Sequence, residues 1–273
     1  MNNESKKDFY RKKILGGLLF SLVLVLCLTF IGLKDAVAGE AKAQGGVIGW
    51  VTKIQGEAAI FKKSEKSGRE LRLEDEVHLG DEIKTFKDAT LTIQFEDDSV
   101  LSIGSGSKIA VTKWVYNKKK KRNKSVFRLA TGRVRGLLNS IFGSGSGMEF
   151  RTATSVAGVK GSDISIWIED GITNAAVTEG HGFIRHKDKL FAELMELEAG
   201  AMASSKAGER IKEPVEIPED VFKKINTLHV ERNAELMKKL KALRDNKKEE
   251  LFNKRDAVRD IMKRKLEQNK YRD

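Results

Sequence analysis

The stretch Phe150-Arg-Thr-Ala-Thr-Ser-Val-Ala-Gly-Val-Lys-Gly-Ser-Asp-Ile164 carries the strongest structural information in this sequence. A hydroxyl-rich, alternating run leads into a turn that contains Gly158 and Gly161, and a second alternating run, Ile164-Ser-Ile-Trp-Ile168, follows it. Alternation with β-branched residues is typical of strands, and glycine adopts backbone conformations that other residues avoid. The stretch therefore predicts a strand, a glycine-dependent corner and a second strand.

The N-terminus has the composition of a segment that directs export. Basic residues between Lys6 and Lys13 precede an apolar run from Ile14 to Leu33, and the triplet Ala36-Val-Ala38 follows. This order is that of a secretory signal peptide cleaved after Ala38, but the run is also long enough to remain as an uncleaved signal anchor. Both alternatives place the rest of the chain outside the cytoplasm, in the periplasm or cell envelope, because the basic cluster stays inside. Residues 39–46 are small and polar, which predicts a linker.

The composition excludes a disulfide scaffold for the exported part. The single cysteine, Cys27, lies in the apolar run between two leucines, which is not the small-residue context of a lipoprotein signal. Cleavage would therefore leave a chain without cysteine, whose core must suffice alone. The chain carries a formal charge of +12, and residues 219–273 contribute 17 basic against 11 acidic residues. Without residues 1–38 the charge is +9, so the +6 of residues 219–273 is most of the basic surplus of the exported part. The surplus thus belongs largely to a C-terminal tail of solvated, charged character.

The segment from Val47 to about Lys189 is predicted to be mainly β. Period-two runs bounded by turn residues predict strands; they occur at residues 89–95, 100–103, 109–115, 164–168 and 182–185. Asp97-Asp98-Ser99 and Asp170-Gly171 have the composition of hairpin turns. Only Arg133–Ile141 suggests a short helix, and the glycine-serine run 143–147 suggests a flexible joint.

The pattern changes after residue 218. Both prolines of the chain lie in Glu213-Pro-Val-Glu-Ile-Pro218, so residues 191–218 are predicted to be a connecting segment. Acidic Glu219 and Asp220 then favour the start of a helix. A narrow apolar stripe with an eleven-residue period predicts one long charged helix or a helix pair over residues 219–270, with a break at Asp245-Asn246 in the second case. Such a stripe suits docking or self-association, and hence homo-oligomerisation, better than burial in a core.

Six segments within residues 45–190 match, in order, the steps of a known domain family. They are Gly46–Ala58, Gly80-Asp-Glu-Ile-Lys-Thr85, Leu91–Ile103, Leu129-Ala-Thr-Gly-Arg-Val134, Phe150–Ile164 and Val177-Thr-Glu-Gly180. Together they resemble the FecR domain family of exported bacterial proteins. The sequence departs from the family pattern at Lys160, where arginine is usual, at Ser162, where threonine is usual, and in lacking a proline after Thr154. Lysine cannot replace the bidentate hydrogen bonding of arginine.

The resemblance implies a fold and a set of structural positions. The implied fold is a solenoid-like or rolled stack of short antiparallel strands, here followed by the charged helical tail. Glycines suit its corners, and hydroxyls can bond the backbone there. The motif residues to which the resemblance assigns a structural role are Gly80, Asp81, Thr85, Asp98, Ser99, Gly132, Thr152, Gly158, Val159, Lys160, Gly161, Ser162, Glu179 and Gly180.

The resemblance also limits the expected function. Family members that signal across the inner membrane carry an anti-sigma segment of many tens of residues before the membrane span, whereas about a dozen residues precede the apolar run of this chain. We therefore expect a stand-alone exported protein of the family and no regulation of a sigma factor.

No set of residues in the sequence predicts catalysis or a cofactor. His181 and His186 are five residues apart in a strand, so alternation places them on opposite faces and makes them poor ligands for one metal ion. Glu96, Asp97 and Asp98 lack the spaced oxygens of a calcium loop. The three tryptophans are expected in the core. The remaining candidate is a basic run that could contact a polyanion, although a solvated hairpin loop explains it as well: Lys118, Lys119, Lys120, Lys121 and Arg122.

These observations favour a non-catalytic interaction module in the bacterial cell envelope, without cofactor, that binds an envelope protein or glycan and no nucleic acid. The alternative is a membrane-anchored trans-envelope signalling component without an anti-sigma domain, which requires residues 14–33 to be retained. A cell-wall hydrolase would need a pair of carboxylates or a nucleophile–base pair, and the sequence shows no such spacing.

Overall fold

The structure is a computed structural model, and it describes residues 46–63, 65, 67–117, 119, 122–139 and 146–270. The described residues belong to one compact unit, Gly45–Asp273. The predicted signal peptide or anchor lies outside the described residues. So do Lys118, Lys120 and Lys121 of the basic run and most of the glycine-serine joint.

Strands dominate the described part of the chain up to residue 216. In chain order they are β1 (Val47–Gln55), β2 (Ala58–Phe61), β3 (Arg69–Glu70), β4 (Glu76–His78), β5 (Glu82–Thr85), β6 (Thr90–Phe95), β7 (Val100–Ile103), β8 (Lys108–Asn117), β9 (Arg122–Thr131), β10 (Arg133–Leu137), β11 (Gly147–Arg151), β12 (Ser155–Val159), β13 (Asp163–Glu169), β14 (Ile172–Glu179), β15 (His181–His186), β16 (Leu194–Glu198), β17 (Ala201–Ser205) and β18 (Val215–Glu216).

The strands form two nine-stranded sheets. Sheet A has the order β18-β17-β14-β13-β10-β7-β6-β1-β4, and sheet B has the order β16-β15-β12-β11-β9-β8-β5-β2-β3. The chain alternates between the sheets, mostly in hairpin pairs such as β6–β7 in sheet A and β8–β9 in sheet B. Successive pairs are added along both sheets in nearly the same order, so corners between the sheets recur along the chain.

One hydrophobic core lies between the two sheets. Its fully buried members come from both: Ile93 and Phe95 of β6 and Ile166 of β13 belong to sheet A, and Phe127 of β9 and Phe150 of β11 belong to sheet B. The rings of Phe127 and Phe150 stack with their centroids 5.4 Å apart. Because side chains alternate across a strand, each sheet also has an outer face.

The stretch from Phe150 to Ile164 forms the two strands and the corner that its pattern predicts. Strands β11 and β12 pair as an antiparallel hairpin in sheet B, and after a turn at Gly161, which has a φ of +82°, the chain enters β13 in sheet A. Strand β11 also pairs with β9, in parallel. This parallel pair departs from the expected antiparallel stack, and it arises because β10 lies in the other sheet between them.

Two helices follow the strands, α1 (Glu219–Asn226) and α2 (Ala234–Lys270). Glu219 and Asp220 lie in the first turn of α1, as predicted. Asn233 caps α2, because its side-chain oxygen accepts a hydrogen bond from the amide of Leu236 at 3.0 Å. The helix pair is therefore separated at residues 227–233, whereas α2 continues through Asp245-Asn246, where a break had been predicted. Among the described residues, no helix has both the length and the apolar composition needed to cross a bilayer.

The predicted mainly β chain with helices after it is confirmed, but a solenoid-like or rolled stack is not, since the strands form two open sheets. The predicted turns at Asp97–Ser99 and Asp170–Gly171 are confirmed as hairpin turns. The short helix predicted at Arg133–Ile141 is wrong for its described part, because residues 133–137 form β10, paired with β7 and β13 on its two sides. Strands β16, β17 and β18 lie in the segment expected to be a connection.

Candidate functional site

Several of the sequence-predicted motif residues form corners between the two sheets. At Gly132, with a φ of +85°, the hydroxyl of Ser107 accepts a hydrogen bond from the amide of Arg133 at 3.0 Å and donates to a backbone carbonyl. At Gly180 the hydroxyl of Ser162 takes the same position and accepts from the amide of His181 at 2.8 Å. A Cβ atom at either glycine would overlap the serine hydroxyl. These residues hold the backbone in place and are not free to react.

A second group of motif residues surrounds the turn before β5. Asp81 is buried, and its carboxylate accepts hydrogen bonds from the Lys62 side chain at 2.7 Å and the His78 amide at 2.8 Å. Burial, and then the positive charge of Lys62, lower the pKa of His78. The hydroxyl of Thr85 donates to the carbonyl of Gly104 at 2.5 Å. Gly80 precedes these groups with a φ of +92°.

The remaining motif residues lie near β12 and its neighbours. The hydroxyls of Thr152 and Thr173 are 2.7 Å apart, which joins the β11–β12 turn to β14. Gly158 lies against the backbone of β11, where a Cβ atom would approach the carbonyl oxygen of Met148 to 2.6 Å. Val159 is buried in the core, whereas Lys160 and Glu179 are exposed.

The acidic turn between β6 and β7 is occupied by contacts from α2. The carboxylate of Asp98 pairs with Lys241 at 2.9 Å, and that of Glu96 pairs with Arg244 at 2.8 Å. Asp97 is buried and bonds the Ser99 amide at 3.0 Å. The backbone carbonyl of Asp98 also accepts a hydrogen bond from Arg232. The acidic turn, whose residues do not have the spacing of a calcium loop, therefore anchors the C-terminal helix.

Both helices cover the outer face of sheet A. Trp50 packs with Met237 and Leu240 of α2, and Trp167 packs with Ile225 of α1. Beneath the segment between the helices, the partly buried Arg135 forms a bidentate pair with the buried Asp163 and donates to the carbonyl of Leu228 at 3.2 Å. Of the predicted apolar stripe, Leu236 and Leu240 of α2 pack on sheet A, whereas Leu243 and Leu251 are exposed.

The outer face of sheet B has no helix over it in the described part of the chain, and it contains a groove of about 560 Å³. We call this cavity the groove. Phe183 of β15 lies at its base, across Gly158, and the His181 side chain contacts Glu198 of β16 at 2.8 Å on its rim. The lining residues are Glu149, Lys160, His181, Gly182, Phe183, Arg185, Leu194, Glu196, Leu197 and Glu198. The groove thus combines one aromatic face with hydrogen-bond donors and acceptors of both charges.

Beside the groove, basic side chains from neighbouring strands of sheet B form a line that we call the basic row: Arg128, Arg151, Arg185 and Lys187. Arg128 and Arg151 are register partners on β9 and β11, and Arg151 and Arg185 both pair with Val156 of β12. The positions of the arginines therefore follow the strand spacing of about 4.8 Å. All four side chains are exposed.

Positive charge in the basic row is only partly neutralised. Arg151 pairs with Glu149 at 2.6 Å, whereas Arg128, Arg185 and Lys187 have no acidic partner among the described residues. The ammonium of Lys187 donates to the carbonyl of Thr152. Its pKa is lowered by partial burial and then by the charges of Arg151 and Arg128, so these three cations lie close enough to repel one another.

The basic run that the sequence singled out lies at the β8–β9 hairpin. Lys119 lies in its turn, and Arg122 is the first residue of β9. Arg122, Lys124 and Arg128 are exposed at alternate positions of the same strand, on one face. Sequence analysis alone did not identify the basic row, because strand pairing brings its members together from separate segments of the chain. One sequence feature points to its arginines: Arg128, Arg151 and Arg185 each directly follow an apolar residue that faces the core.

Comparison with known proteins gives one family match. Residues 81–181 match the family model described as FecR protein, which confirms the predicted resemblance over that range. No curated protein matches the chain.

Solved structures show weak similarity. Two crystal structures of a candidate anti-sigma factor from Parabacteroides distasonis align with a TM-score of 0.39 and 12% identity, covering 50% of this chain and 59% of that one. This chain thus spans less than two thirds of their length. A cell surface anchoring domain aligns with a TM-score of 0.23 and 30% identity, over 23% of this chain and 83% of that one. The finding that the comparisons support is thus the match of residues 81–181, which include the corners, to the FecR protein family model.

Proposed function

We propose that this protein is a non-catalytic binding module of the cell envelope, and that the outer face of sheet B is its ligand-binding face. The observation that carries the proposal is the asymmetry of the two sheets. Helices α1 and α2 cover sheet A, whereas sheet B presents the groove and the basic row. Concave, partly apolar surfaces with a few convergent polar groups are where proteins bind ligands.

The corners support a binding role over a catalytic one. The hydroxyls in or beside the family motif form hydrogen bonds with the backbone or with another hydroxyl, as at Ser107, Ser162 and Thr152. In the groove, the imidazole of His181 faces the carboxylate of Glu198. A nucleophile would need to lie within hydrogen-bond reach of such a base, and no serine, threonine or cysteine is among the groove residues.

Site-specific photo-crosslinking in living cells tests the proposal. A photoreactive phenylalanine analogue at Phe183, in the groove, should give a covalent adduct of higher mass with the full chain. The matched control is the same analogue at Phe222, which is exposed on α1 at the opposite face, and it should give none. Absence of an adduct at position 183, or equal adducts at both positions, would contradict the assignment of the binding face.

Export is a separate part of the proposal and is supported by the basic cluster, the apolar run Ile14–Leu33 and the triplet ending at Ala38. The N-terminal residue of the protein isolated from cells tests it. A start at Gly39 supports a cleaved signal peptide, whereas a start at Met1 in a membrane fraction supports the anchored, signalling alternative. A full-length protein in the cytoplasmic fraction would contradict both.

A further inference from the structure

Sheet B combines two neighbouring surfaces of different chemistry. The groove presents the ring of Phe183 among side chains that donate and accept hydrogen bonds, including His181 and Glu196. The basic row places Arg128 one strand from Arg151, and Arg185 two strands further on, with Val156 of β12 between them. Arg185 belongs to both, so a single extended ligand can contact the two surfaces at once.

The basic row continues along β9 towards the hairpin that the sequence marked as a polyanion contact. Arg122 and Arg128 are six residues apart on one face of that strand, a distance of about 20 Å. Lys124 lies between them and is exposed. A path of positive charge therefore runs along one strand and then across the sheet. Its length fits a chain-like anion better than a small one.

The details of the two surfaces indicate which polymer fits. Guanidinium groups bind planar carboxylates through two parallel hydrogen bonds. Hydroxyl groups both donate and accept, which matches a groove that holds His181 and Lys160 as well as Glu196. An aromatic ring such as Phe183 offers an apolar surface to the face of a sugar. A nucleic acid is disfavoured because Phe183 is the sole Phe, Tyr or Trp residue of the groove, which leaves no series of such rings on which successive bases stack.

We propose that the outer face of sheet B binds an acidic polysaccharide, with its carboxylates on the basic row and its sugar rings in the groove. This inference rests on the proposed function, because it names the ligand class for the same binding face. Three partly uncompensated cations, Arg128, Arg185 and Lys187, gain their missing counter-charges in such a complex. Binding should therefore weaken as salt concentration rises.

The test measures binding of the full chain to immobilised polygalacturonate, a linear polysaccharide with one carboxylate on each sugar. The double variant Arg128→Gln, Arg185→Gln should bind about tenfold more weakly, since two charge-assisted contacts are lost. The control variant Lys53→Gln, Arg210→Gln removes the same charge from exposed positions outside sheet B and should bind as the unchanged chain does.

Two further polymers test whether the site recognises carboxylates on sugars or carboxylates alone. Neutral dextran should not bind, and polyglutamate, which carries carboxylates without sugars, should bind more weakly than polygalacturonate. Equal binding of polyglutamate and polygalacturonate would overturn the glycan assignment in favour of an acidic protein. No binding to polygalacturonate, or equal loss in both double variants, would overturn the inference itself. An adduct at Phe183 in cells would still support the binding face in that case, so the two failures are distinguishable.

Discussion

Asp97 is a buried carboxylate in the turn between β6 and β7, only 2% exposed. It accepts hydrogen bonds from the Ser99 amide at 3.0 Å and from the Asn123 side-chain nitrogen at 2.5 Å. Burial raises its pKa, and these two hydrogen bonds oppose the rise only in part. Meanwhile the buried side-chain oxygen of Asn123 has no partner among the described residues. The pair therefore contains a charge that lacks solvation and an acceptor that lacks a donor.

Replacing Asp97 by asparagine should stabilise the protein at pH 7 by about 1 kcal/mol. The new amide can still accept from the Ser99 amide, and its nitrogen can donate to Asn123 once that amide has rotated. The rotation exchanges the unpaired Asn123 oxygen for an unpaired nitrogen, so the gain in stability comes from removing the buried charge. Since the folded-state pKa of Asp97 is raised, the unchanged protein loses stability as the pH rises above the ordinary value of 3.8. Denaturant unfolding from pH 4 to 7 should therefore show a difference in stability between the variant and the unchanged protein that grows as the pH rises.

The serine–glycine corners make a second prediction at single residues. Gly132→Ala should destabilise by about 3 kcal/mol, because the substitution adds overlap with Ser107 to the strain of a positive φ. Gly106→Ala is the matched control, since Gly106 has a φ of +65° and open space around it, and should cost about 1 kcal/mol. Urea unfolding measures the free energy of unfolding of both variants. Equal losses of stability would show that the structure relieves the overlap between the new Cβ atom and Ser107 without being destabilised by it.

At the scale of single elements, the alternation of apolar and polar residues predicts that a segment is a strand, but it does not predict which strands pair with it. The runs that became β6, β7 and β13 alternate clearly and were recognised. Residues 133–137 were predicted as helix because two arginines and a glycine hide the alternation, yet Arg135 is fixed by Asp163, 28 residues further on. A partner so far along the chain cannot be recognised from the local sequence, so this strand is evident only from its pairing in the sheet.

The same reason explains how much of the candidate site was predictable. Local composition pointed to the β8–β9 hairpin through its run of lysines. The groove and the basic row depend on registers such as Arg151 with Arg128 and Gly158 with Phe183, which join residues far apart in the sequence. Pairing of this kind follows from the whole core and is not encoded in any single segment.

The docking of α2 yields a prediction at the scale of that element. Leu240 is 5% exposed and packs on Trp50, whereas Leu243, one turn on, is 54% exposed. Leu240→Ala should therefore weaken docking by about 2 kcal/mol, and Leu243→Ala should leave it unchanged. Hydrogen exchange at the amides of residues 234–244 measures the effect. Faster exchange there, with the strands of both sheets unaffected, is expected only for the first variant.

At the scale of the whole molecule, the matched family segment is smaller than the folded unit. The core between the sheets is continuous from Ile48 to Ala203, while the FecR match covers residues 81–181. Strand β1 pairs with β6, and β15 pairs with β12. Strand β1 lies outside the match, and so does all of β15 except His181. Strands β6 and β12 therefore depend on residues beyond the match for one of their two neighbours.

A fragment of residues 81–181 alone should therefore fail to fold cooperatively. Removing β1 and β15 leaves β6 and β12 as unpaired edges and opens the core at both ends, and small domains do not retain stability after such a loss. Residues 46–270 keep both sheets and both helices, and should unfold in one sigmoidal transition. Thermal melts followed by circular dichroism compare the two. A sigmoidal melt of the shorter fragment would mean that its strands are self-sufficient and that β1 and β15 are additions to a complete domain.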